Sequence, residues 1–283
     1  MTSNYARFKA FYKTASLWSG ELLGLEQFYL SNFNFDHLDN EESLELPVIP
    51  QGTVLGKRAE YFFKFCVEKS NNYKLLLSNI QIFKGKVTIG ELDYIIKHKR
   101  TNTVIHIELV YKFYIYQPKI EADQFSEIHQ ELFKYKGPNG RDNLVRKLKH
   151  LKEHQLPLLY SEEARETLES HQIDISKVKQ QVCYLAHVFI PQHLWPHKFE
   201  YINKNSIVGY YFNYSAFAKA ETDNLYFLPE KYAWKMSPQE LPVSYTYKKV
   251  LELTEESLER GFAPLIWMLV SSTNSFERFF VVK

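Results

Sequence analysis

Cysteine is scarce: Cys66 and Cys183 are the only two, and their separation excludes both a disulfide framework and a cysteine-ligated zinc site. Long apolar runs are missing, so no stretch is suited to span a bilayer, and the N-terminus MTSNYARFKAFYK lacks the apolar core of a signal peptide. Reduced thiols without a targeting segment lead us to expect a cytoplasmic protein with no membrane partner. Nor is there an excess of either charge. Lys plus Arg number 35 against 33 Asp plus Glu, so any nucleic-acid contact must come from a local patch. The chain has no internal repeat, Walker loop, dinucleotide fingerprint, HExxH or nucleophile elbow. Its ten histidines form no ligand-spaced pair, and His193 and His197 are split by Pro196. What is present is ordinary for a globular chain: 45% hydrophobic and 24% charged over 283 residues, ample for a full core. The aromatic share of 16% is high and suits either a ring-rich core or base stacking.

Residues 88–113, TIGELDYIIKHKRTNTVIHIELVYKF, organise the rest. In a strand over 89–97, Ile89, Glu91, Asp93, Ile95 and Lys97 share one face; in a strand over 104–113, Val104, His106, Glu108, Val110 and Lys112 do so. Lys99, Arg100, Thr101 and Asn102 read as a tight polar turn, predicting an antiparallel hairpin. A turn centred between Arg100 and Thr101 sets Asp93 directly across from Glu108. Carboxylates so opposed repel one another unless something lies between them. A divalent cation would resolve the conflict, and Mg²⁺, which keeps several waters, needs few protein oxygens. Solvation of an exposed hairpin face is the alternative, opposed by Ile89, Ile95, Val104 and Val110 on the same face.

Gly90-Glu91-Leu92-Asp93, an extended run ending Ile107-Glu108-Leu109, and a following lysine resemble the PD-(D/E)XK nuclease superfamily. Gly90 to Phe113, Gly137-Pro138-Asn139 with Arg141-Asp142, and His154-Gln155-Leu156-Pro157 are similar to an uncharacterised bacterial family placed in that superfamily. The similarity covers about residues 56–157. The resemblance implies that Asp93 and Glu108 ligate Mg²⁺ or Mn²⁺, that Lys112 orients or activates the attacking water, and that Glu60, on the first helix, is a third acid. Glu60 also suits a simple structural role, a favourable charge near a helix N-terminus. The superfamily usually sets its lysine two residues after the acid, a slot held here by Val110. Lys112 stands two positions further on, roughly 13 Å from Glu108 by strand rise, so its flexible stem would have to turn back.

Around the hairpin, apolar spacing predicts helices over 5–18 and 56–70, a first strand over 75–83, and a buried strand over 181–191. The acidic stretch 33–51 reads as a connecting loop, and 117–136 as mixed and partly helical. Asp142 is placed to cap a helix carrying Leu144, Leu148 and Leu151. Arg141, Arg146, Lys147 and Lys149 make this the most basic segment, read as either a solvated face or a phosphate-binding one. A short helix is expected over 162–172. Beyond residue 191, short strands and a helix capped by Thr254 suggest a mixed subdomain.

The fold expected is α/β with a restriction-endonuclease-like core of helix, three-strand antiparallel meander, helix and strand. An N-terminal helix and a C-terminal α+β subdomain flank it, giving segments 1–55, 56–191 and 192–283. The function expected is a Mg²⁺-dependent nuclease acting on DNA in preference to RNA. Two rivals stand beside it: a non-catalytic nucleic-acid-binding or assembly protein on that scaffold, favoured by Val110 in the lysine slot, and a glycoside hydrolase using the paired carboxylates.

Overall fold

Nine strands make one mixed sheet and two a small ribbon, which gives the expected α/β class among the described residues. These are 4–34, 44–119, 126–195, 197–220, 223–236 and 243–283 of the computed structural model. Helix α1 (Asn4–Tyr12) buries Ala6, Phe8 and Phe11 and ends short of Trp18, whose indole N–H donates to the Leu25 carbonyl at 3.1 Å. The ribbon strands β1 (Glu21–Leu22) and β2 (Leu25–Glu26) follow. Of the acidic connection expected at 33–51, residues 35–43 lie outside the described residues. Helix α2 (Leu55–Lys69) buries the predicted stripe of Ala59, Phe62, Phe63, Cys66 and Val67.

β3 (Tyr73–Lys84), β4 (Val87–His98) and β5 (Val104–Tyr116) form the antiparallel meander. The predicted hairpin register is the one observed, with Tyr94 opposite Ile107 and Lys97 opposite Val104. The turn closes through His98 N–H donating to the Thr103 carbonyl at 2.9 Å, and Asn102 takes the left-handed conformation (φ 58°) that asparagine tolerates. Ile95 and Val110 are buried as their shared face requires, while Ile89 is exposed.

Helix α3 (Glu127–Phe133) and β6 (Tyr135–Lys136), which pairs with β5, occupy the described part of the expected mixed segment; residues 120–125 lie outside it. Helix α4 (Leu144–His150) is capped one residue later than expected, by Asn143, whose Oδ1 accepts from the Arg146 N–H at 3.3 Å. It runs into a wide turn, Leu151–Gln155, closed by Leu156 N–H to the Leu151 carbonyl at 2.9 Å. Helix α5 (Glu162–Ser170) starts at Ser161, whose hydroxyl accepts from the Ala164 N–H. Strand β7 (Lys179–Pro191) is buried without a break over 182–191, as its apolar run predicts.

The C-terminal stretch contains β8 (Ile207–Asn213), α6 (Tyr214–Phe217), β9 (Leu225–Phe227), α7 (Tyr247–Glu259), β10 (Leu265–Val270) and β11 (Ser275–Val282). β7 and β11 both run parallel to β8, and β10 runs antiparallel to β11 and β9. Thr254 does not cap α7. It is buried inside the helix, which begins after Thr246, because Tyr247 and Val250 are needed in the cluster with Phe217, Tyr226 and Phe279.

The chain groups into two compact units. The first comprises Ser16–Tyr111 and Lys147–Leu185; the second comprises Met1–Ala15, Lys112–Arg146 and Ala186–Lys283. The segments 1–55, 56–191 and 192–283 therefore do not map one to one onto these units. Residues 16–34 fall in the same unit as the meander, and the Leu17 and Phe28 N–H groups donate to the Tyr184 and Val182 carbonyls of β7. The aromatic surplus goes largely into the cores. Phe28, Phe33, Phe63 and Tyr94 are fully buried in the first unit, and Phe217, Tyr226 and Phe279 in the second, each stabilising by about 1.5–3 kcal/mol. No helix among the described residues is long and apolar enough to cross a membrane.

Candidate active site

The acids expected to matter lie where the β4–β5 ladder stops. Regular pairing ends at Tyr94 and Ile107, one step before Asp93 and Glu108 would face each other. Beyond that point side chains take over the backbone donors: Asp93 Oδ2 accepts from the Leu109 N–H at 2.8 Å, and the Asp93 N–H favours the ionised Glu108 carboxylate. On the other side of β4 the ladder also skips Asp93, where the β3 residue Asn79 is left-handed (φ 53°). Asn79 uses its amide to reach Glu60 Oε2 (2.6 Å) and Glu91 Oε1 (3.1 Å).

Glu108 is fully buried, and each of its oxygens has a neutral donor. Gln180 fixes the first. Its Nε2 donates to the Leu156 carbonyl at 2.7 Å, which orients the amide, and the same nitrogen lies 3.0 Å from His106 Nδ1. Nδ1 is therefore an acceptor, so the proton of His106 sits on Nε2 and is donated to Glu108 Oε1 at 3.0 Å. Burial lowers His106 to about 4, keeping it neutral. The second oxygen, Oε2, accepts from Gln155 Nε2 at 2.5 Å, and Gln155 Oε1 accepts from Lys147 Nζ at 2.5 Å. These bonds fix the orientation of the Glu108 carboxylate, as hydrogen bonds to metal-binding carboxylates do.

The electrostatics are those of acids lacking a strong counter-charge. Burial, reinforced by the negative charge of Glu108, raises Asp93 to about 8, against the Leu109 N–H; Glu60 and Glu91 push the same way. Burial raises Glu108 to about 7, opposed by the Asp93 N–H and the Lys147 charge. Asp93 Oδ1 has no hydrogen-bond donor among the described residues. Two adjacent carboxylates with uncommitted lone pairs, held by neutral donors, fit a hard cation that completes its shell with water or phosphate oxygens. They do not make a closed cage, and no group of three His, Cys, Asp or Glu among the described residues does so.

The other expected residues separate. Glu60 is engaged by Lys57 at 2.5 Å and by Asn79, so it borders the pair with its own counter-charge. Lys112 does not direct its ammonium back along the strand; it pairs with Asp142 Oδ2 at 2.7 Å, the carboxylate expected to cap α4. Of the four basic residues, Lys147 alone is bonded into the Glu108 relay. Lys149 is exposed and 3.8 Å from Glu153, and exposed Arg146 donates to the Arg141 carbonyl and lies 4.0 Å from Asp142. Arg141 is exposed. Sequence reasoning missed Gln155 and Gln180. Gln155 did stand within His154-Gln155-Leu156-Pro157, and that motif was its only signal.

A family model described as a domain of unknown function (DUF1853) matches residues 13–282. No curated protein and no solved structure matches the chain.

Proposed function

The chain belongs to the DUF1853 family, and from its site we propose a divalent-metal-dependent phosphodiesterase, a nuclease acting on DNA in preference to RNA, on a restriction-endonuclease-like core. One observation carries the reading: Asp93 and Glu108 sit at the opened end of an antiparallel ladder, with neutral donors fixing them and a lysine bonded to the relay. The order α2, β3 to β5, α4 and α5, β7 supports it, since it follows the core order the resemblance implies.

Asp93 and Glu108 would hold Mg²⁺ or Mn²⁺, which when bound polarises the scissile phosphate and lowers the pKa of a water. The chain does the rest. The Leu109 N–H, His106 and Gln155 hold the two carboxylates in place, so no reorganisation is needed when charge develops. Lys147, in place of Lys112, supplies the positive charge beside the reacting phosphate.

The test is cleavage of single- and double-stranded DNA and RNA with and without Mg²⁺ or Mn²⁺. Asp93→Ala and Glu108→Ala should abolish metal-dependent cutting while leaving far-UV circular dichroism unchanged. Wild-type protein that binds nucleic acid but cuts none with either ion would favour the non-catalytic scaffold instead. One observation favours glycoside hydrolysis: an aspartic acid raised to about 8 stays protonated at neutral pH, as a general acid requires. Hydrolysis of a chromogenic glycoside in EDTA would select that reading.

A further inference from the structure

Contrary to the expectation from sequence that no two histidines are spaced as ligands, His150 and His154 meet across the wide turn Leu151–Gln155. Their ring centroids lie 5.1 Å apart with the planes tilted by 37°. His150 is the last residue of α4, and both side chains are exposed. Neither imidazole has a hydrogen-bond or ion-pair partner among the described residues, so the ring nitrogens are uncommitted and reachable from solvent.

The separation of the rings is the decisive quantity. Two imidazoles sharing one tetrahedral zinc ion, with metal–nitrogen bonds of about 2.0–2.1 Å, have centroids roughly 5 Å apart. The observed 5.1 Å meets that requirement, and turning the nitrogens towards a common point needs only rotation about Cβ–Cγ, a soft torsion in histidine. The run His150-Leu151-Lys152-Glu153-His154 also has the order H-x-x-E-H, which in some metallohydrolases carries zinc on its two histidines. Of the cations in the same segment, Lys147 is directed to Gln155 Oε1 at 2.5 Å and Lys149 to Glu153 at 3.8 Å.

We propose that His150 and His154 bind a Zn²⁺ ion that clasps the wide turn, with water completing its shell. Among the described residues no third His, Cys, Asp or Glu joins the pair, so the site is a two-ligand clasp and not the closed shell of a structural zinc centre. Imidazole nitrogens select zinc over magnesium, whereas carboxylate oxygens suit Mg²⁺ and Mn²⁺, so this pair and the pair Asp93 and Glu108 call for different ions. The clasp spans the turn that carries Gln155. It does not rest on the reading of Asp93 and Glu108.

Calorimetric titration of the whole protein with zinc chloride, in excess Mg²⁺, tests the proposal. One equivalent of Zn²⁺ should bind saturably, and His150→Gln and His154→Gln should each weaken it at least tenfold. Both histidines are exposed, so the variants should keep the far-UV circular dichroism of the wild type. Hydrogen exchange supplies the second readout. The Leu156 amide, whose bond to the Leu151 carbonyl closes the turn, should exchange more slowly when Zn²⁺ is added to the wild type, and at an unchanged rate in His154→Gln. No saturable binding, full affinity in either histidine variant, or a Leu156 amide indifferent to Zn²⁺ in the wild type would overturn it.

Discussion

Around Asp93 and Glu108 the first unit buries two carboxylates among donors; the second holds a half-buried Arg278 and a buried Lys235, and its Glu277 is engaged by the Tyr210 hydroxyl. The two acids lack a strong counter-charge in a low-dielectric setting, which costs a fold several kcal/mol per ion unless a partner completes it. The partner called for by the acids is a cation. The two regions also answer pH in opposite senses. Burial raises the acids and lowers Lys235, so a rise in pH costs the first unit stability and relieves the second.

The comparison is broken most directly through catalysis. Lys147→Ala should reduce metal-dependent cleavage by about 10² to 10⁴, the usual worth of such help, whereas Lys112→Ala, whose partner is Asp142, should change it less than tenfold. Steady-state rates on one DNA substrate decide between them. Next in size is Gly209→Ala. The added methyl meets backbone, so denaturant unfolding should show a loss of about 2–3 kcal/mol.

Lys235→Met sharpens the electrostatic half. The folded pKa lies below the unfolded one, so the unfolded chain binds the extra proton between the two values and native stability climbs as pH rises through that window. The methionine variant should therefore be more stable by about 1–3 kcal/mol at neutral pH. That advantage should shrink towards pH 10.5, the ordinary lysine value; an advantage constant with pH would exclude a charge effect. Smallest is the response to metal. Ten millimolar Mn²⁺, about tenfold above a millimolar Kd, stabilises by about 1.4 kcal/mol. The melting temperature of the wild type should rise by a few degrees and that of Asp93→Asn should not.

Local patterns made the meander legible. The loop Lys99 to Asn102 set the register, and strand alternation put Asp93 and Glu108 on one face, while the ladder's end just before them has no sequence mark. Lys147 was picked out for its charge, yet nothing in the sequence joined it to Glu108, because the link passes through Gln155, 47 residues from the acid. Lys112 was favoured by position along the strand, and the salt bridge that claims it spans 30 residues. Thr254 had the chemistry of a cap, but packing of Tyr247 and Val250 started α7 earlier. The parallel pairing of β8 with β11 was invisible for the same reason, since it joins segments far apart in the chain.

The wide turn Leu151–Gln155 acts as a phase shifter. Eight residues of ordinary helix advance about 800°, leaving position 155 about 80° off the line of Lys147. A turn closed by bonds five residues apart winds more slowly and takes up most of that difference, which lets the amide of Gln155 meet Lys147 on one side and Glu108 on the other. Ordinary winding through all eight residues would swing position 155 about 80° off that line and uncouple lysine from acid with every proposed site residue still present, whereas removing one residue, such as Glu153, would leave the amide seven residues on and about 20° from it.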